Sequence, residues 1–319
     1  MTWNPKVSIC VPAYNQPRLL ERLLISIADQ DHKNIEVIIS DDSTNDGVKI
    51  VADKFMGKLE IKYYHHQPAL KTPRNWNFAI DKAAGDFYML VHQDDWFHVP
   101  YAISKFVSVF RDDPAIDFAF CRNTAITEDG QELILQGIPS LLTTLPRKYN
   151  HLIRFNVIGP PSNTMLRKGV DIRYDEEYIW LVDVDYYVRL LKKKYKPDYI
   201  NEHLVSIGLH QEQTTNFCQA NSDIIVKENI LYASKLDPAV FRDIYIFDYY
   251  WRFLRNYGIK SESDIHATGV LPERVPAIIK GMLNWQRRLP GKVLRIGAFS
   301  KFLMLLNYST VAKKHYKKS

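Results

Sequence analysis

Residues 7–95 alternate between short apolar runs and segments whose apolar residues recur at helical spacing. Runs at residues 7–11, 35–39, 59–64 and 87–91 predict four buried strands, because each is short and bounded by turn signals. The first intervening segment places its leucines and one isoleucine on a single face of a helix over residues 19–27. Alternating strands and helices predict βαβ units, and therefore an α/β fold with a mostly parallel sheet and helices on both faces.

The second part of the chain is predicted to contain longer irregular stretches. Its predicted elements are a helix over residues 99–110, a strand over 116–121, a turn at 128–130, and helices over 183–194, 223–235 and 239–257. Glycine and proline punctuate residues 137–162 too densely for regular structure, so a loop is expected there. We therefore predict an α/β domain over residues 1–220 and a helical C-terminal region over residues 221–319.

Polar residues follow three of the predicted strands directly. The first strand runs into Pro-Ala-Tyr-Asn at residues 12–15, the second into Asp-Asp-Ser at residues 41–43, and the fourth into His-Gln-Asp-Asp at residues 92–95. The carboxyl ends of parallel strands face the crevice where α/β proteins bind ligands. Adjacent carboxylates suit Mg²⁺ or Mn²⁺ held together with substrate phosphates. A solvated turn is the alternative for residues 94–95, but three polar loops on one sheet edge favour a nucleotide pocket.

Charge is distributed unevenly along the 319 residues. The net charge is +6, yet residues 274–319 hold eleven Lys or Arg and no Asp or Glu, so subtracting eleven leaves about −5 for the preceding part. An acidic body argues against nucleic acid as a partner, and the basic end predicts contact with an anionic surface. Hydrophobic content of 46% and charged content of 24% are ordinary for a globular protein.

Cysteine usage and the apolar runs bear on the compartment. The three cysteines are odd in number and widely spaced, which predicts no disulfide framework and fits a reducing, cytoplasmic location. The first apolar run ends at Pro12 and is too short for a signal peptide. No run of about 18 apolar residues occurs, so we expect no membrane-spanning helix.

The order and spacing of three motifs resemble the family 2 glycosyltransferases. These motifs are Val-Ser-Ile-Cys-Val-Pro-Ala-Tyr-Asn at residues 7–15, Ser-Asp-Asp-Ser-Thr-Asn-Asp at 40–46, and Asp-Asp at 94–95. The resemblance implies the GT-A fold, a Rossmann-like arrangement found in nucleotide-diphospho-sugar transferases. It further implies inverting transfer of a sugar from a nucleoside-diphosphate sugar, with a UDP-sugar expected, to a hydroxyl of a growing surface glycan or lipid-linked glycan.

The resemblance also assigns residues to nucleotide binding. Those matching the motifs that hold nucleobase and ribose are Pro12, Ala13, Tyr14, Asn15 and Asp42. Arg74 matches an arginine that commonly contacts the nucleotide in the segment before the metal strand, and Asp94 is expected beside the diphosphate.

A divalent cation, Mn²⁺ or Mg²⁺, is implied at the third motif. The usual form is Asp-x-Asp-Asp, whereas His92 stands at the first position of this chain. Asp95 is the expected direct ligand. His210 matches a histidine that closes the metal site in many members, although a lone histidine is more often structural.

Residues 180–190 resemble the start of the helix that carries the catalytic base in this family. Val182 replaces the usual glutamate, and Asp183 aligns with the catalytic aspartate. A sugar hydroxyl becomes a good nucleophile when a positioned carboxylate takes its proton, so Asp183 is expected to act as general base. Two alternatives stay open: Asp183 as the helix N-cap, and Asp185 as the base.

The basic end and the departures from the family pattern leave other readings open. Apolar residues from Val275 and from Val293 onward alternate with cations, as in a helix lying in a membrane surface. The alternative is a helical extension packed on the body with a solvated tip. The changes at His92 and Val182 allow an inactive nucleotide-sugar-binding or scaffolding homologue. A dinucleotide- or methyl-donor-binding enzyme is disfavoured because no Gly-x-Gly-x-x-Gly follows the first strand.

Overall fold

The computed structural model describes residues 3–133, 139–288, 290, 294 and 296–312. Contacts divide the chain into two compact units. The first unit consists of Met1–Tyr149 with Asn156–Gln213, and the second unit consists of Asn150–Phe155 with Thr214–Ser319.

The first unit is built on one mixed sheet. Its described strands are β1 Val7–Ala13, β2 Ile35–Asp41, β3 Glu60–His65, β4 Phe87–Leu90, β5 Trp96–Phe97, β6 Phe118–Thr127, β7 Glu132–Leu133, β8 Thr164–Arg167 and β9 Pro197–Leu209. Their order is β3-β2-β1-β4-β8-β6-β9-β5, with β7 on β6. The first four strands are parallel, as the alternating pattern predicts. The second half is mixed rather than mostly parallel, because β8 runs antiparallel to both β4 and β6.

The first unit also contains six described α-helices, and all but the shortest bury apolar residues. They are α1 Pro17–Ala28, α2 Gly47–Phe55, α3 Arg74–Asp81, α4 Ala102–Asp112, α5 Pro139–Leu142 and α6 Val182–Lys192. In α1 the predicted stripe is buried at Leu20, Leu23, Leu24 and Ile27. Each fully buried leucine or isoleucine side chain contributes about 1.5–3 kcal/mol, so this stripe fixes α1 against the sheet. The α/β fold is therefore confirmed.

Two features of the sheet differ from the sequence prediction. The first strand does not stop at Pro12, because β1 continues to Ala13 in register with Ser40 and Asp41 of β2. The pairing of β1 with β4 ends at Cys10. The backbone nitrogen of Pro12, two residues further on, is directed toward the same side of β1, where no strand pairs with it. The N–H that proline lacks is therefore not needed for a hydrogen bond of the sheet. Strands β8 and β9 were not predicted from the sequence. Polar residues interrupt the apolar pattern of β9, which is held by its long pairing with β6.

The second unit is helical, as predicted for the C-terminal region. Its described α-helices are α7 Thr214–Ala220, α8 Ser222–Lys235, α9 Ile244–Asn256, α10 Glu262–His266, α11 Ala277–Gln286 and α12 Gly297–Asn307. The predicted helix over residues 239–257 is divided, because Asp243 ends a 3₁₀ turn and caps α9 through the Tyr245 N–H. Aromatic residues of α9 pack inside this unit: Trp251 donates to Ser300 Oγ at 3.1 Å, and Phe247 meets Tyr308 edge to face.

The two apolar faces near the chain end have different surroundings. The face that begins at Val275 is buried, including Ile279 and Met282 of α11, so it packs inside the second unit. In α12 one face is buried at Leu303 and Met304, whereas the opposite face is exposed. Val293 and the lysines beyond residue 312 lie outside the described residues. Among the helices that the structure describes, none has the length and apolar character needed to cross a membrane.

Candidate active site

The turn that follows β4 gathers three potential metal ligands. The Asp95 N–H donates to the His92 carbonyl at 3.0 Å, which closes the turn and brings their side chains to one side. One ligand atom each from His92, Asp94 and Asp95 lie within 4.8 Å of one another. Carboxylate oxygens and an imidazole nitrogen are ligands that divalent cations accept, so this donor set fits the cation implied by the sequence.

Asp95 is the most deeply placed member of this cluster. Its side chain accepts hydrogen bonds from Ser162 Oγ at 2.5 Å and from the Gly208 N–H at 3.3 Å. Burial, followed by the negative charge of Asp94, raises the pKa of Asp95 well above its ordinary value. A cation beside this carboxylate would favour its ionised form.

Asp94 and His210 form a hydrogen-bonded pair in the same centre. Nε2 of His210 lies 3.0 Å from Oδ2 of Asp94. Burial opposes ionisation of Asp94, but its bond with His210 and the neighbouring His92 prevail, and the pKa of Asp94 is lowered. The same bond raises the pKa of His210. The predicted ligand His210 therefore reaches the centre through Asp94.

Two residues outside the motif lie against the backbone carbonyl of Asp94. Arg22 of α1 donates from its guanidinium to the Asp94 carbonyl at 2.6 Å and stacks 3.6 Å from the centre of the Trp96 ring. Gly208 of β9 approaches the same carbonyl so closely that a Cβ there would lie 2.4 Å from the oxygen. Neither residue was predicted, since Arg22 resembles any polar residue of an amphipathic helix and β9 itself was missed.

The loop after β1 is joined to the turn after β4 by Gln93. Its side chain accepts from the Tyr14 N–H at 2.9 Å and donates to the Tyr14 carbonyl at 3.0 Å. Pro12 and Ala13 are buried in β1, whereas the Tyr14 side chain is exposed. Asn15 adopts a positive φ of 49° and accepts from the Thr44 N–H at 3.0 Å. The polar loops after β1, β2 and β4 thus meet at one sheet edge.

Asp42 and Arg74 lie beside this edge with different surroundings. The buried carboxylate of Asp42 accepts from the N–H groups of Leu70 and Lys71 at 2.9 and 2.8 Å, which ties down the loop before α3. Arg74 begins α3, and its exposed guanidinium pairs with Glu176 at 2.6 Å. The hydrogen bonds of Asp42 leave lone pairs for a further donor, because a carboxylate accepts about four.

Asp183 lies in the first turn of α6. Its carboxylate accepts from Asn156 Nδ2 and from the Val184 N–H, both at 2.8 Å. Burial raises the pKa of Asp183 to about 6. The N-cap is Leu181, so the N-cap alternative for Asp183 is wrong. Asp185 is buried and bound to Arg189 Nε at 2.7 Å, an ion pair that leaves it less suited to accept a proton.

A single segment over residues 156–163 touches both carboxylate centres. Asn156 bonds Asp183 at one end, and Ser162 bonds Asp95 at the other. Gly159 has a φ of +89°, and a Cβ there would meet an Asn163 side-chain nitrogen at 2.3 Å. The sequence pattern predicted a loop over residues 137–162, but it did not reveal these two contacts.

Comparisons with known proteins identify the class to which this arrangement belongs. The family model "Glycosyl transferase family 2" matches residues 8–174, more than half of the chain. The chain belongs to this family and is a glycosyltransferase related to enzymes of polysaccharide biosynthesis.

Two named relatives are similar to this chain in sequence over different shares of its length. The amylovoran biosynthesis glycosyltransferase AmsB of Erwinia amylovora is 25% identical over 76% of this chain and 82% of its own length. The GalNAc(5)-diNAcBac-PP-undecaprenol beta-1,3-glucosyltransferase of Campylobacter jejuni is 38% identical, but the match spans only 28% of this chain and 30% of that enzyme.

Solved structures share the GT-A fold. Residues 1–349 of Staphylococcus aureus TarS, in complex with UDP-GlcNAc, superpose with a TM-score of 0.55 at 18% identity, covering 98% of this chain and 92% of that chain. The mannosyltransferase PcManGT of Pyrobaculum calidifontis, in complex with GDP-Man and Mn²⁺, gives a TM-score of 0.58 at 14% identity, covering 100% of this chain and 89% of that chain.

Proposed function

We propose that this enzyme transfers a sugar from a UDP-sugar to a hydroxyl of a growing glycan, with inversion at the anomeric carbon and Asp183 as general base. The observation that carries the proposal is the shared support of Asp183 and Asp95 by residues 156–163. A base and a diphosphate-binding centre must be held in fixed relative positions for one in-line displacement. We assign this catalysis to residues 1–220 and treat residues 221–319 as an appended helical region.

The electrostatics of Asp183 match the proposed role. With a pKa of about 6, the carboxylate is largely ionised at neutral pH and still basic enough to receive a hydroxyl proton. Asn156 and the Val184 N–H fix its orientation. The acceptor hydroxyl would lose its proton to Asp183 as its oxygen forms the new bond to the anomeric carbon, while the diphosphate departs.

The cluster at the end of β4 supplies the groups that would hold Mn²⁺ or Mg²⁺. Asp95 is the proposed direct ligand, with Asp94 and His210 completing the centre. A divalent cation bound there would offset negative charge on the departing diphosphate. The complex of PcManGT with GDP-Man and Mn²⁺ supports a metal in this fold, and the ligands in this chain leave Mn²⁺ as one of two candidates.

The sheet edge beside this centre would receive the nucleotide. Tyr14 offers an exposed ring on which a base could stack, and Asp42 keeps acceptor capacity for a ribose hydroxyl. The Asn15 side chain is engaged with the β2 loop, so we assign it to shaping the pocket. Arg74 would reach the nucleotide by exchanging its exposed partner Glu176 for phosphate. The UDP and UDP-GlcNAc complexes of TarS support UDP as the nucleotide.

The named relatives support a glycan as the acceptor. AmsB is named for amylovoran biosynthesis, and the Campylobacter jejuni enzyme is named for an undecaprenol-linked acceptor. We therefore propose a glycan or lipid-linked glycan as the acceptor of this enzyme.

A donor screen tests the proposal. Release of UDP from each common UDP-sugar is measured with Mn²⁺ and with Mg²⁺, and excess chelator is the control. Slow metal-dependent hydrolysis of one donor without acceptor is expected. Tight UDP-sugar binding with no hydrolysis and no transfer to any glycan acceptor would favour the inactive homologue instead.

We further propose that α12 contacts an anionic membrane surface. Its exposed face, called here the α12 apolar face, consists of Ile296, Phe299, Phe302, Leu305 and Leu306. The opposite face is anchored in the second unit, because Ser300 accepts from Trp251 and Asn307 donates to the Gly281 carbonyl. The α12 apolar face is therefore not needed for the core of this unit.

The exposed cations beside the α12 apolar face favour an anionic membrane over a neutral or basic surface. Lys301, Arg287 and Arg288 are exposed, and residues 274–319 contain no acidic residue. A cation near an anionic leaflet contributes about 1 kcal/mol, and burial of a phenylalanine about 1.5–3 kcal/mol. The three free cysteines are buried and fit a reducing compartment, so we place this contact on the cytoplasmic side.

Vesicle co-sedimentation tests the membrane contact. The full chain is expected to bind vesicles containing phosphatidylglycerol, and Phe299→Ser/Phe302→Ser should lose most of this binding even at low salt. Phe217→Ser is the matched control, because Phe217 of α7 is as exposed as Phe302, at 56%. Equal binding by all three proteins, or concentration-dependent dimers that only the double variant abolishes, would overturn the proposal.

A further inference from the structure

We propose that His92 is a direct ligand of the catalytic cation and biases the centre toward Mn²⁺ over Mg²⁺. This inference rests on the metal-dependent function proposed above. It concerns the residue at which this chain departs from the Asp-x-Asp-Asp pattern.

The position of His92 supports ligation. One of its ring nitrogens lies within 4.8 Å of carboxylate oxygens of both Asp94 and Asp95. Nδ1 itself is 3.9 Å from Oδ2 of Asp95, too far for a hydrogen bond but close enough to share one cation. The imidazole therefore faces the carboxylates that would hold the metal.

The surroundings keep the ring in this place. Its centroid is 4.7 Å from the Trp76 ring, and the His92 N–H donates to Ser162 Oγ at 3.0 Å. The same Ser162 hydroxyl donates to Asp95, so the backbone of His92 and the side chain of Asp95 share one anchor. Rotation of the imidazole away from the cluster would forfeit the contact with Trp76.

The imidazole also carries an unsatisfied atom. Nε2 of His92 is buried and has no hydrogen-bond partner among the described residues. A buried polar atom without a partner is unfavourable, and such atoms in native structures commonly meet an ion or a substrate. Nδ1, the nitrogen nearer to Asp95, also makes no hydrogen bond among the described residues, so a cation could bind the ring without displacing a partner.

The consequence is a change in metal preference. Mg²⁺ demands oxygen ligands in a near-ideal octahedron, whereas Mn²⁺, as a first-row transition metal, accepts an imidazole nitrogen beside oxygen ligands more readily than Mg²⁺ does. Aspartate at position 92 would add a hard, charged oxygen, but histidine adds a neutral nitrogen. Because His210 also borders the centre, the site offers two imidazoles with two carboxylates.

The test uses the full-length protein with Mn²⁺ and UDP. Electron spin echo modulation reports ¹⁴N bound to Mn²⁺, and competition by Mg²⁺ gives the ratio of the two affinities. His92→Asp is expected to reduce the ¹⁴N modulation and to lower the Mn²⁺/Mg²⁺ affinity ratio by about tenfold or more. His98→Asn is the matched control, because His98 lies outside the cluster and bonds Ser206. A second variant, His92→Gln, removes the imidazole without adding a charge.

Two negative results are distinguishable. If Mn²⁺ binds with UDP and the ¹⁴N modulation is the same in wild type, His92→Asp and His92→Gln, His92 is no ligand, while the proposed function stands. If UDP does not promote Mn²⁺ binding to the wild-type protein, the metal-dependent function fails and this inference fails with it. Thermal unfolding of each variant confirms that it is folded.

Discussion

Asp183 provides the sharpest test of the chemistry, because its burial affects both catalysis and stability. Replacing it by asparagine removes the proton acceptor and keeps the size of the side chain. Loss of a general base lowers kcat by about 10²–10⁴-fold. We expect a decrease of at least about 100-fold for Asp183→Asn, with UDP affinity little changed because the side chain lies outside the sheet-edge loops that would bind nucleotide.

The pH dependence follows from the pKa of about 6. The ionised fraction of Asp183 falls about tenfold between pH 7 and pH 5, and kcat/KM of the wild-type enzyme should fall by the same factor. Residual activity of Asp183→Asn should lack this acid limb. The measurement is kcat/KM over pH 5–8.5 at saturating metal.

The free energy of unfolding should fall as pH rises through the pKa of Asp183, whereas kcat/KM should rise. The folded protein raises the pKa of Asp183 from 3.8 to about 6, so it holds the proton more tightly than the unfolded chain does. Stability is therefore lost as pH rises through this window, by about 3 kcal/mol in total and by about 1.4 kcal/mol between pH 5 and pH 8. Asp183→Asn removes this dependence.

Denaturant unfolding of wild type and Asp183→Asn at several pH values measures the contribution of Asp183 to the pH dependence of stability. The variant also loses the hydrogen bond from Asn156 Nδ2, because its own amide would face another donor, but this loss is independent of pH. The difference in unfolding free energy between variant and wild type should rise by about 1.4 kcal/mol from pH 5 to pH 8. Asp185→Asn is the control, and it should lower stability through the lost Arg189 pair while leaving kcat within about tenfold. A flat difference curve, or a larger loss of kcat in Asp185→Asn, would refute the assignment of Asp183.

Other substitutions probe the centre from different sides. Asp95→Asn should weaken Mn²⁺ binding in the presence of UDP by about tenfold or more in a metal titration, because one charged ligand is lost. Gly208→Ala should lower the unfolding free energy by about 1–3 kcal/mol and weaken metal binding, since the new Cβ displaces the Asp94 carbonyl. Gln93→Ala should raise KM for the donor severalfold with kcat nearly unchanged, because it releases the Tyr14 loop; an unchanged KM would contradict this.

The sequence predicted the parallel half of the sheet because its strands are short, apolar and separated by helices with a clear stripe. Each of the four runs became a strand, and α1 buries the predicted face. The mixed second half of the sheet was harder to predict. Strand β9 carries polar residues such as Glu202 and His203 in its middle, and its stability comes from pairing with β6, which no local pattern reveals.

The candidate site was predicted where chemistry and spacing coincide. Asp94, Asp95 and His210 meet in one centre, as the resemblance implied, although their roles stay predictions. His92 was treated in the sequence only as a departure from the family pattern, but its imidazole lies in the cluster with Asp94 and Asp95. The expectation that Asp183 rather than Asp185 is the base gains support only in three dimensions, from the ion pair of Asp185 with Arg189.

The contacts that hold the turn after β4 explain why a short acidic motif does not by itself define such a site. Two adjacent carboxylates repel each other, and burial increases the free energy of ionising both. In this protein Arg22 from α1 binds the carbonyl of Asp94, Ser162 binds the carboxylate of Asp95, and Gly208 leaves room for the turn. These three residues come from α1, the 156–163 segment and β9, which are distant in sequence. The geometry of the centre therefore depends on contacts between distant parts of the chain, including β9, which local sequence patterns miss.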